Sequence, residues 1–353
     1  MEKPVSHHRN PRMVRQRGRE LVVDIHCHLN IPAADTLVRS SVAEIPEPLP
    51  FCSAGSKAIM GAMLAKAGPR LNGVELRLGD MDAQGIDVQA ISPSPGQYHY
   101  FAPPEVGRDS ARLINDGIAS AVNGNPDRFV GMGTVPLQHT GLAIEEMRRC
   151  VRELDLRGIE IGTHVDGHEL ADPALRPFFA AAEELGVLLF LHPLSFTHGQ
   201  RLSDHYLSNL IGNPLDSTIA LSHLIFGGVL DAHPGLKLCI AHGGGYLPSY
   251  WGRMDHAFRA RADCREHISR PPSSYLRQIW LDTLVFDRAQ LKFLVETHGA
   301  DKLCLGTDYP FDMAEPDPVG FHSDLDGDTR ARILGLNAAD LLGLIPVPSN
   351  CCD

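Results

Sequence analysis

Eight short apolar runs, each followed by a stretch of helical character, constrain the fold of this chain more than any other feature. The runs occupy residues 21–29, 88–92, 129–136, 157–163, 187–193, 236–244, 279–284 and 302–311. They are rich in Val, Ile and Leu and too short for buried helices, so we interpret them as strands. Strand alternating with helix eight times predicts an α/β fold, a distorted (β/α)8 TIM barrel. An open doubly wound sheet is the alternative, but no GxGxxG motif follows the first run.

One domain is expected to cover residues 21–346. Within it, residues 30–80 break the rhythm with prolines and small residues, which predicts a small inserted subdomain or lid over the barrel mouth after the first strand. The basic segment 1–20 is expected to be a flexible N-terminal arm, and residues 347–353 a tail.

Charge and composition narrow the classes of partner. The chain has 353 residues and a formal net charge of −11, which argues against nucleic acid and anionic membranes as partners. It has no apolar run of about 18 residues that could span a bilayer, and its start lacks the apolar core of a signal peptide. Its eight cysteines include no CxxC pair, which favours reduced thiols and a cytoplasmic location.

Polar residues stand at the ends of several predicted strands, and in a parallel barrel such ends converge on one face. The first strand ends in His26-Cys27-His28, where alternation places both imidazoles on one side and Cys27 on the other. His192 ends the fifth strand and Asp308 ends the eighth. Three nitrogens and one carboxylate suit one divalent metal, Zn²⁺ by preference with Mn²⁺ as the alternative, and leave a ligand position free.

Two further strand-end residues are candidates for chemistry beside the metal. His242 ends the sixth strand before a glycine run, Gly243–Gly245, that leaves its imidazole unobstructed. A neutral imidazole there is expected to act as the general base, although a fifth structural ligand is the alternative. Asp308 is also a candidate proton carrier. Asp282, on the seventh strand, is expected to orient a histidine by a hydrogen bond.

Several motifs in the same order resemble the amidohydrolase-2 family, among whose members the aminocarboxymuconate-semialdehyde decarboxylases are the most similar and the resorcylate decarboxylases more distant. They are HCH, LFLHP, SNLIGNPLDSTIALSHLIFGGVLDAHPGLKLCIAHGGG, GRMDH and LGTDYPF, with MDAQGIDVQAISPSP and NPDRFVGMGTVPLQ, and they span residues 21–343. The resemblance implies a barrel whose metal ligands are His26, His28, His192 and Asp308 and whose catalytic histidine is His242.

The resemblance also implies a homodimer, because Arg253 in GRMDH matches an arginine that reaches the substrate carboxylate of the neighbouring subunit. One metal is implied, since the fourth strand reads GIEIG and has no lysine for carbamylation. The chain departs from the family where a second substrate arginine is expected, and its HPLSF replaces HPW. The residues that recognise the substrate therefore differ, and the remaining candidates for this role are Arg70, His164 and His205.

These candidates have alternative interpretations. Arg70 lies several residues out of register with the family arginine and could be solvated, and His164 could bind the substrate or its own loop. The sequence predicts a metal-dependent, non-oxidative decarboxylase of a small carboxylated aromatic or muconate-type ring-cleavage product. A hydrolase or hydratase on the same scaffold is the alternative, because it needs the same ligands and base. A binding protein with a structural metal is disfavoured, since structural zinc closes its ligand shell.

Overall fold

Each of the eight apolar runs contains a strand, and these strands form one parallel sheet. The computed structural model describes residues 11–18, 20–47, 51–194, 196 and 198–348. Its strands are β1 (Arg12–Gln16), β2 (Val23–His28), β3 (Val88–Ser92), β4 (Phe129–Gly133), β5 (Gly158–Ile161), β6 (His164–Val165), β7 (His168–Glu169), β8 (Leu188–Leu191), β9 (Lys237–Ile240), β10 (Ile279–Asp282), β11 (Leu303–Cys304) and β12 (Leu344–Pro348). The large sheet has the order β11-β10-β9-β8-β5-β4-β3-β2, and β6 and β7 form a separate antiparallel hairpin.

Backbone hydrogen bonds between the two edges of this sheet close it into a barrel. Ile25 in β2 donates to the carbonyl oxygen of Leu305 at 3.0 Å, and His28 donates to that of Tyr309 at 2.8 Å. The predicted barrel is therefore confirmed, with its last seam lying between β2 and the segment that follows β11. Because this seam joins the first and last barrel strands, it also brings together the ends of those two strands.

Helices surround the barrel. They are α1 (Pro32–Ser41), α2 (Ala54–Leu71), α3 (Glu75–Gln84), α4 (Pro104–Gly124), α5 (Thr140–Arg152), α6 (Arg176–Leu185), α7 (Asn213–Phe226), α8 (Val229–Ala232), α9 (Trp251–Ala260), α10 (Arg288–His298), α11 (Pro318–Phe321), α12 (Gly327–Ala331) and α13 (Asn337–Leu342). Their ends follow ordinary capping chemistry: Asp172 accepts a 2.8 Å bond from the backbone nitrogen of Ala174 before α6, and Gly186 ends that helix with a φ of +59°. Among the described residues, none of the helices combines the length and the apolar character needed to span a membrane.

The predicted insertion at 30–80 is largely helical. It contains α1, α2 and the first part of α3, while residues 48–50 lie outside the described part of the chain. The backbone nitrogen of Ser53, just before α2, donates to the carbonyl oxygen of Ser203 at 2.8 Å, in the long segment after β8. This bond ties the insertion to a loop at the carboxyl ends of the strands, and its role as a lid stays a prediction.

The expectation of a flexible arm over residues 1–20 is wrong for residues 12–16. They form β1, which pairs in parallel with β12, so two residues of the predicted tail, 347 and 348, also belong to a strand. The physical reason is apolar packing, which the basic composition of the segment does not indicate. Val14 is only 1% exposed and packs in one cluster with Leu341 and Leu344. Residues 1–10 of the arm and 349–353 of the tail lie outside the described residues.

We predict that Val14→Ala lowers the free energy of unfolding by about 1–3 kcal/mol, because it removes buried methyl groups from this cluster. Met13→Ala is the matched control. Met13 is 65% exposed on the same strand, so its truncation is expected to change stability by less than about 0.5 kcal/mol. Urea unfolding of the two variants measures both effects, and equal stability of both would show that β1 contributes nothing to the fold.

Candidate metal centre and substrate cavity

Four predicted ligands meet where the barrel closes. His26 and His28 come from the end of β2, His192 follows β8, and Asp308 follows β11. One ligand atom from each residue lies within 4.8 Å of the others, and all four residues are buried. The Nε2 atoms of His26 and His28 lie 3.4 and 3.1 Å from Asp308 Oδ1, so both imidazoles face the carboxylate, as the alternation along β2 predicts.

Hydrogen bonds to the other ring nitrogens leave the Nε2 atoms of these histidines available as ligands. His26 Nδ1 bonds Asp282 Oδ2 at 2.6 Å. His28 Nδ1 bonds the carbonyl oxygen of Pro93 at 3.1 Å, and His192 Nδ1 bonds that of Pro193 at 2.8 Å. Because a carbonyl or carboxylate oxygen can only accept, each of these Nδ1 atoms carries a proton and each Nε2 is directed at the centre. The Nε2 atom of His28 lies 3.1 Å from Asp308 Oδ1.

Two of the inward-directed Nε2 atoms are evidence that the site fits a cation. Among the described residues, the buried Nε2 atoms of His26 and His192 have no hydrogen-bond partner. A buried polar atom without a partner is costly, and a ligated divalent metal removes that cost. Three imidazole nitrogens with one carboxylate oxygen match the ligand types that divalent transition metals accept. The residues present thus form a divalent metal site.

Asp282 connects the metal centre to the glycine-rich turn. Besides His26, it accepts hydrogen bonds from the backbone nitrogens of Gly243 at 2.8 Å and Leu284 at 3.2 Å, and it is fully buried. A carboxylate with this many donors has one orientation, so it can hold the His26 ring in place. This contact is the one proposed for Asp282 from the sequence.

His242 lies between the metal ligands and an adjoining cavity. Its Nε2 is 3.8 Å from Asp308 Oδ2, and 16% of its side chain is exposed. The backbones of both residues are left-handed, with φ of +57° for His242 and +61° for Asp308, a conformation that costs roughly 1–3 kcal/mol for a residue with a side chain. Left-handed backbone at both residues is typical of a functional site, where the surrounding structure stabilises the strain.

The glycine run after His242 is required by the packing. Gly243, Gly244 and Gly245 all have positive φ, and a Cβ on Gly245 would lie 2.2 Å from the carbonyl oxygen of Pro214. The chain can therefore turn sharply here only with glycine. The cavity beside the turn has a volume of about 250 Å³ and is lined by His242 and Asp308 together with residues of the segments around α7 and α10.

Burial and neighbouring charges together shift the pKa values of the residues in the metal centre. Burial lowers the pKa of His26, but the carboxylates of Asp308 and Asp282 outweigh burial and raise it to about 10. Burial raises the pKa of Asp308, yet His26 and His242 hold it well below its ordinary value. Burial and the neighbouring histidines lower the pKa of His192. In the metal-free protein at neutral pH, His26 thus carries an additional proton beside an ionised Asp308.

The four candidates for substrate binding do not gather at this centre. Arg70 pairs with Asp80 through a 2.5 Å contact and lines a cleft beside α2 and α3, which shares Phe286 and Met313 with the cavity beside His242. His164 lines a third cavity, on the side of α1. His205 is exposed, as is Arg253 on α9, and among the described residues Arg253 forms no ion pair.

Sequence reasoning missed three residues near the site. Asp24 is buried in β2 and Arg77 in α3, and Asn209 lines the cavity beside His242. The sequence contained a signal for Asp24, because it is a carboxylate within an apolar strand. Such a residue is seldom buried unless it has a partner, which marks it as a candidate for a specific contact. Asn209 had none, since it lies in an irregular stretch, a π-helical turn over Ser208–Gly212, that no periodicity reveals.

The fold and the centre define an α/β barrel of the metal-binding type. The chain belongs to the amidohydrolase family, whose profile matches residues 23–344. It is 40% identical over 276 residues to a 2-amino-3-carboxymuconate-6-semialdehyde decarboxylase of Dictyostelium discoideum, with 77% of each chain covered. The resemblance read from the motifs is therefore confirmed.

One further relative and one solved structure are also similar to this chain. A 2-keto-4-carboxy-3-hexenedioate hydratase of a Sphingobium species is 27% identical over 286 residues, covering 75% of this chain and 76% of the relative. The structure of a 5-carboxyvanillate decarboxylase from Novosphingobium aromaticivorans, in complex with manganese and a nitrobenzoic acid, superposes with a TM-score of 0.82 at 24% identity, covering 94% of this chain and 99% of that one. This superposition supports the barrel fold.

We predict that metal uptake at pH 7 releases about one proton per site, because a ligand must be deprotonated to bind. The raised pKa of His26 means that the proton is present below pH 10 and lost above it, so the apparent affinity is expected to rise about tenfold per pH unit between pH 7 and 9. Calorimetric titration in two buffers of different ionisation enthalpy counts the proton.

Asp282→Asn is the control for this measurement. It removes one of the two carboxylates that raise the pKa of His26, so the pH dependence is expected to move to lower pH. Metal affinity that stays constant from pH 7 to 9 in the unmodified protein would contradict the assignment of the proton to His26.

Proposed function

We propose that this protein is a metal-dependent, non-oxidative decarboxylase of a small carboxylated aromatic or muconate-type compound. The observation that carries the proposal is that Asp308, one of the four clustered ligand residues, and His242 together line a cavity of single-ring size. The 40% identical decarboxylase supports the reaction type. When bound, the metal would supply Lewis acidity that polarises the substrate.

The chain's own residues account for the proton that decarboxylation requires. When the bond between the ring carbon and the carboxylate breaks, its electron pair stays on that carbon, which must then receive a proton as carbon dioxide leaves. His242 has its Nε2 3.8 Å from Asp308 Oδ2, and both residues line the cavity. We assign the proton transfer to His242 as general acid and base, with Asp308 as ligand and proton carrier.

The cavity restricts the substrate to a small molecule. Its volume of about 250 Å³ is below the range of roughly 300–1,000 Å³ that suits drug-sized ligands. As far as the described residues go, the lining includes the amides of Asn209, Asn213 and Gln290 and no lysine or arginine. Amides bond well to uncharged hydroxyl or carbonyl groups, so we propose that they bind such a substituent while the metal takes the carboxylate side.

The carboxylate also needs a cation, which we propose comes from a second subunit. Arg253 is exposed on α9 and, among the described residues, pairs with no carboxylate, so its guanidinium is available to a neighbouring chain. A bidentate contact from Arg253 would hold a substrate carboxylate in one orientation. The proposed assembly is a homodimer in which each site contains one residue of the partner.

The resident metal and the compartment are finer proposals. Zn²⁺ suits three imidazoles and a carboxylate, while Mn²⁺ is the alternative, supported by the manganese of the 5-carboxyvanillate decarboxylase. The cysteines of the described residues are free thiols, five of them buried, which supports a reducing compartment such as the cytoplasm.

A hydratase is the second candidate, and the 27% identical hydratase favours it. Water addition to a double bond needs the same ligands and the same base. The two reactions differ in mass balance, because decarboxylation releases carbon dioxide and hydration retains every carbon. A panel of hydroxybenzoates and carboxymuconate derivatives, with carbon dioxide and product mass measured together, separates them.

We predict that His242→Gln lowers kcat by roughly 10²–10⁴-fold with little change in bound metal, because it removes the proton-transferring group and no ligand. His223→Gln is the control: this helical histidine is about half exposed and faces Glu169 at 3.7 Å, so its replacement is expected to leave kcat unchanged. If His242→Gln loses its metal as well, His242 is a ligand and the assignment is wrong.

Mixing two inactive variants tests the shared site. In a heterodimer of His242→Gln and Arg253→Met chains, one site combines an intact His242 with an intact Arg253 from the other chain. We predict that co-refolding the variants restores activity, to about half per heterodimer if Arg253 acts across the interface as a bidentate donor. An Arg253 that serves its own subunit gives no restoration.

A further inference from the structure

Arg77 is an unusual charge for the interior of this protein. It lies on α3 and has 0% of its surface exposed. Among the described residues it forms no ion pair with a carboxylate. Burying an unpaired charge is costly, so a chain retains one only where specific contacts offset the cost.

The contacts of Arg77 reach two of the three chain segments that carry metal ligands. Its Nη2 donates to the carbonyl oxygen of His28, a ligand residue of β2, and to that of Arg70 at 3.1 Å. Its guanidinium lies over the ring of Tyr309, 4.7 Å from the centroid, and Tyr309 directly follows the ligand Asp308. One side chain thus touches both sides of the seam that closes the barrel.

A second line of contacts extends from Arg77 to the same seam. Arg77 Nη1 donates to Gln89 Oε1 at 3.0 Å, and Gln89 Nε2 donates to Asp24 Oδ2 at 3.1 Å. Asp24 accepts from Thr307 Oγ1 at 2.7 Å and from the backbone nitrogen of His26 at 3.1 Å. Gln89, Asp24 and Thr307 are all 0% exposed, so no solvent competes for these bonds.

We propose that Arg77 is a positioning residue for the metal centre. It sets the backbone of His28 directly and that of the segment around Asp308 through Tyr309, while the Gln89–Asp24–Thr307 chain holds the same two segments from the second side. In this way α3, part of the inserted segment, determines the spacing of ligands on β2 and after β11. The proposal requires the metal centre and is independent of which reaction the enzyme catalyses.

Arg77→Met tests the proposal, because methionine preserves an apolar stem and removes the guanidinium. The metal-free protein is titrated with Co²⁺ alone, and both the Kd and the visible absorption of the bound ion are measured. We expect the Kd to rise roughly 10–100-fold, the range found when residues supporting metal ligands are altered, and the absorption to change with the ligand geometry.

Arg128→Met is the matched control. Arg128 is also buried, at 7% exposure, and also donates to backbone carbonyl oxygens, those of Ile86 and Asp87. It precedes β4 and so lies at the opposite end of the strands from the metal centre. Its replacement is expected to lower the Tm as Arg77→Met does, yet leave the Co²⁺ affinity and spectrum unchanged.

Two results would overturn the proposal. Unchanged Co²⁺ affinity and spectrum in Arg77→Met would show a structural role alone, and tighter binding would show that the guanidinium only repels the cation. If Arg77→Met does not fold, Arg77→Lys decides, because lysine keeps the charge but cannot contact two carbonyls and an amide as a fork. A raised Kd in Arg77→Lys supports positioning, and an unchanged one refutes it.

Discussion

Closure of the barrel between β2 and the segment after β11 is the constraint on which the site depends. Parallel strands bring their carboxyl ends to one face, but only a closed barrel makes the first strand a neighbour of the last. The bond from the backbone nitrogen of His28 to the carbonyl oxygen of Tyr309 therefore positions the two ligand histidines of β2 beside Asp308, which is 280 residues from His28. Any change that opened this seam would separate the ligands before it affected the remaining strands.

The metal centre buries polar side chains whose loss of solvation must be offset by their neighbours. Three buried imidazoles lose solvation, and two of them have Nε2 atoms without a partner among the described residues. Asp308 partly offsets this cost, a cation would offset the rest, and Asp282 fixes one ring through a 2.6 Å bond. The left-handed backbones of His242 and Asp308 add strain at the same place, which the surrounding packing must stabilise.

The inserted segment contacts the seam of the barrel. Its helix α3 supplies Asp80, which accepts from the hydroxyl of Tyr309 at 2.5 Å, and Arg77, which contacts the carbonyl oxygen of His28. The segment and the barrel are thus packed as one unit at the seam. The cavity beside His242 is lined mostly by segments near α7 and α10, so the support of the metal ligands and most of the lining of this cavity come from different parts of the chain.

The sequence alone determined the eight strands, the barrel and the ligand set, because apolar periodicity and residues at strand ends are local signals. It could not reveal that residues 12–16 form a strand, since the partner of Val14 is more than 300 residues away and the pairing leaves no local pattern. Nor could it separate Arg70, which is partly exposed and paired with Asp80, from Arg77, which is buried and donates to the carbonyl oxygen of the ligand residue His28. Two arginines seven positions apart on neighbouring helices differ only in what the tertiary structure packs around them, and that packing decides which charge is solvated and which is buried at the metal site.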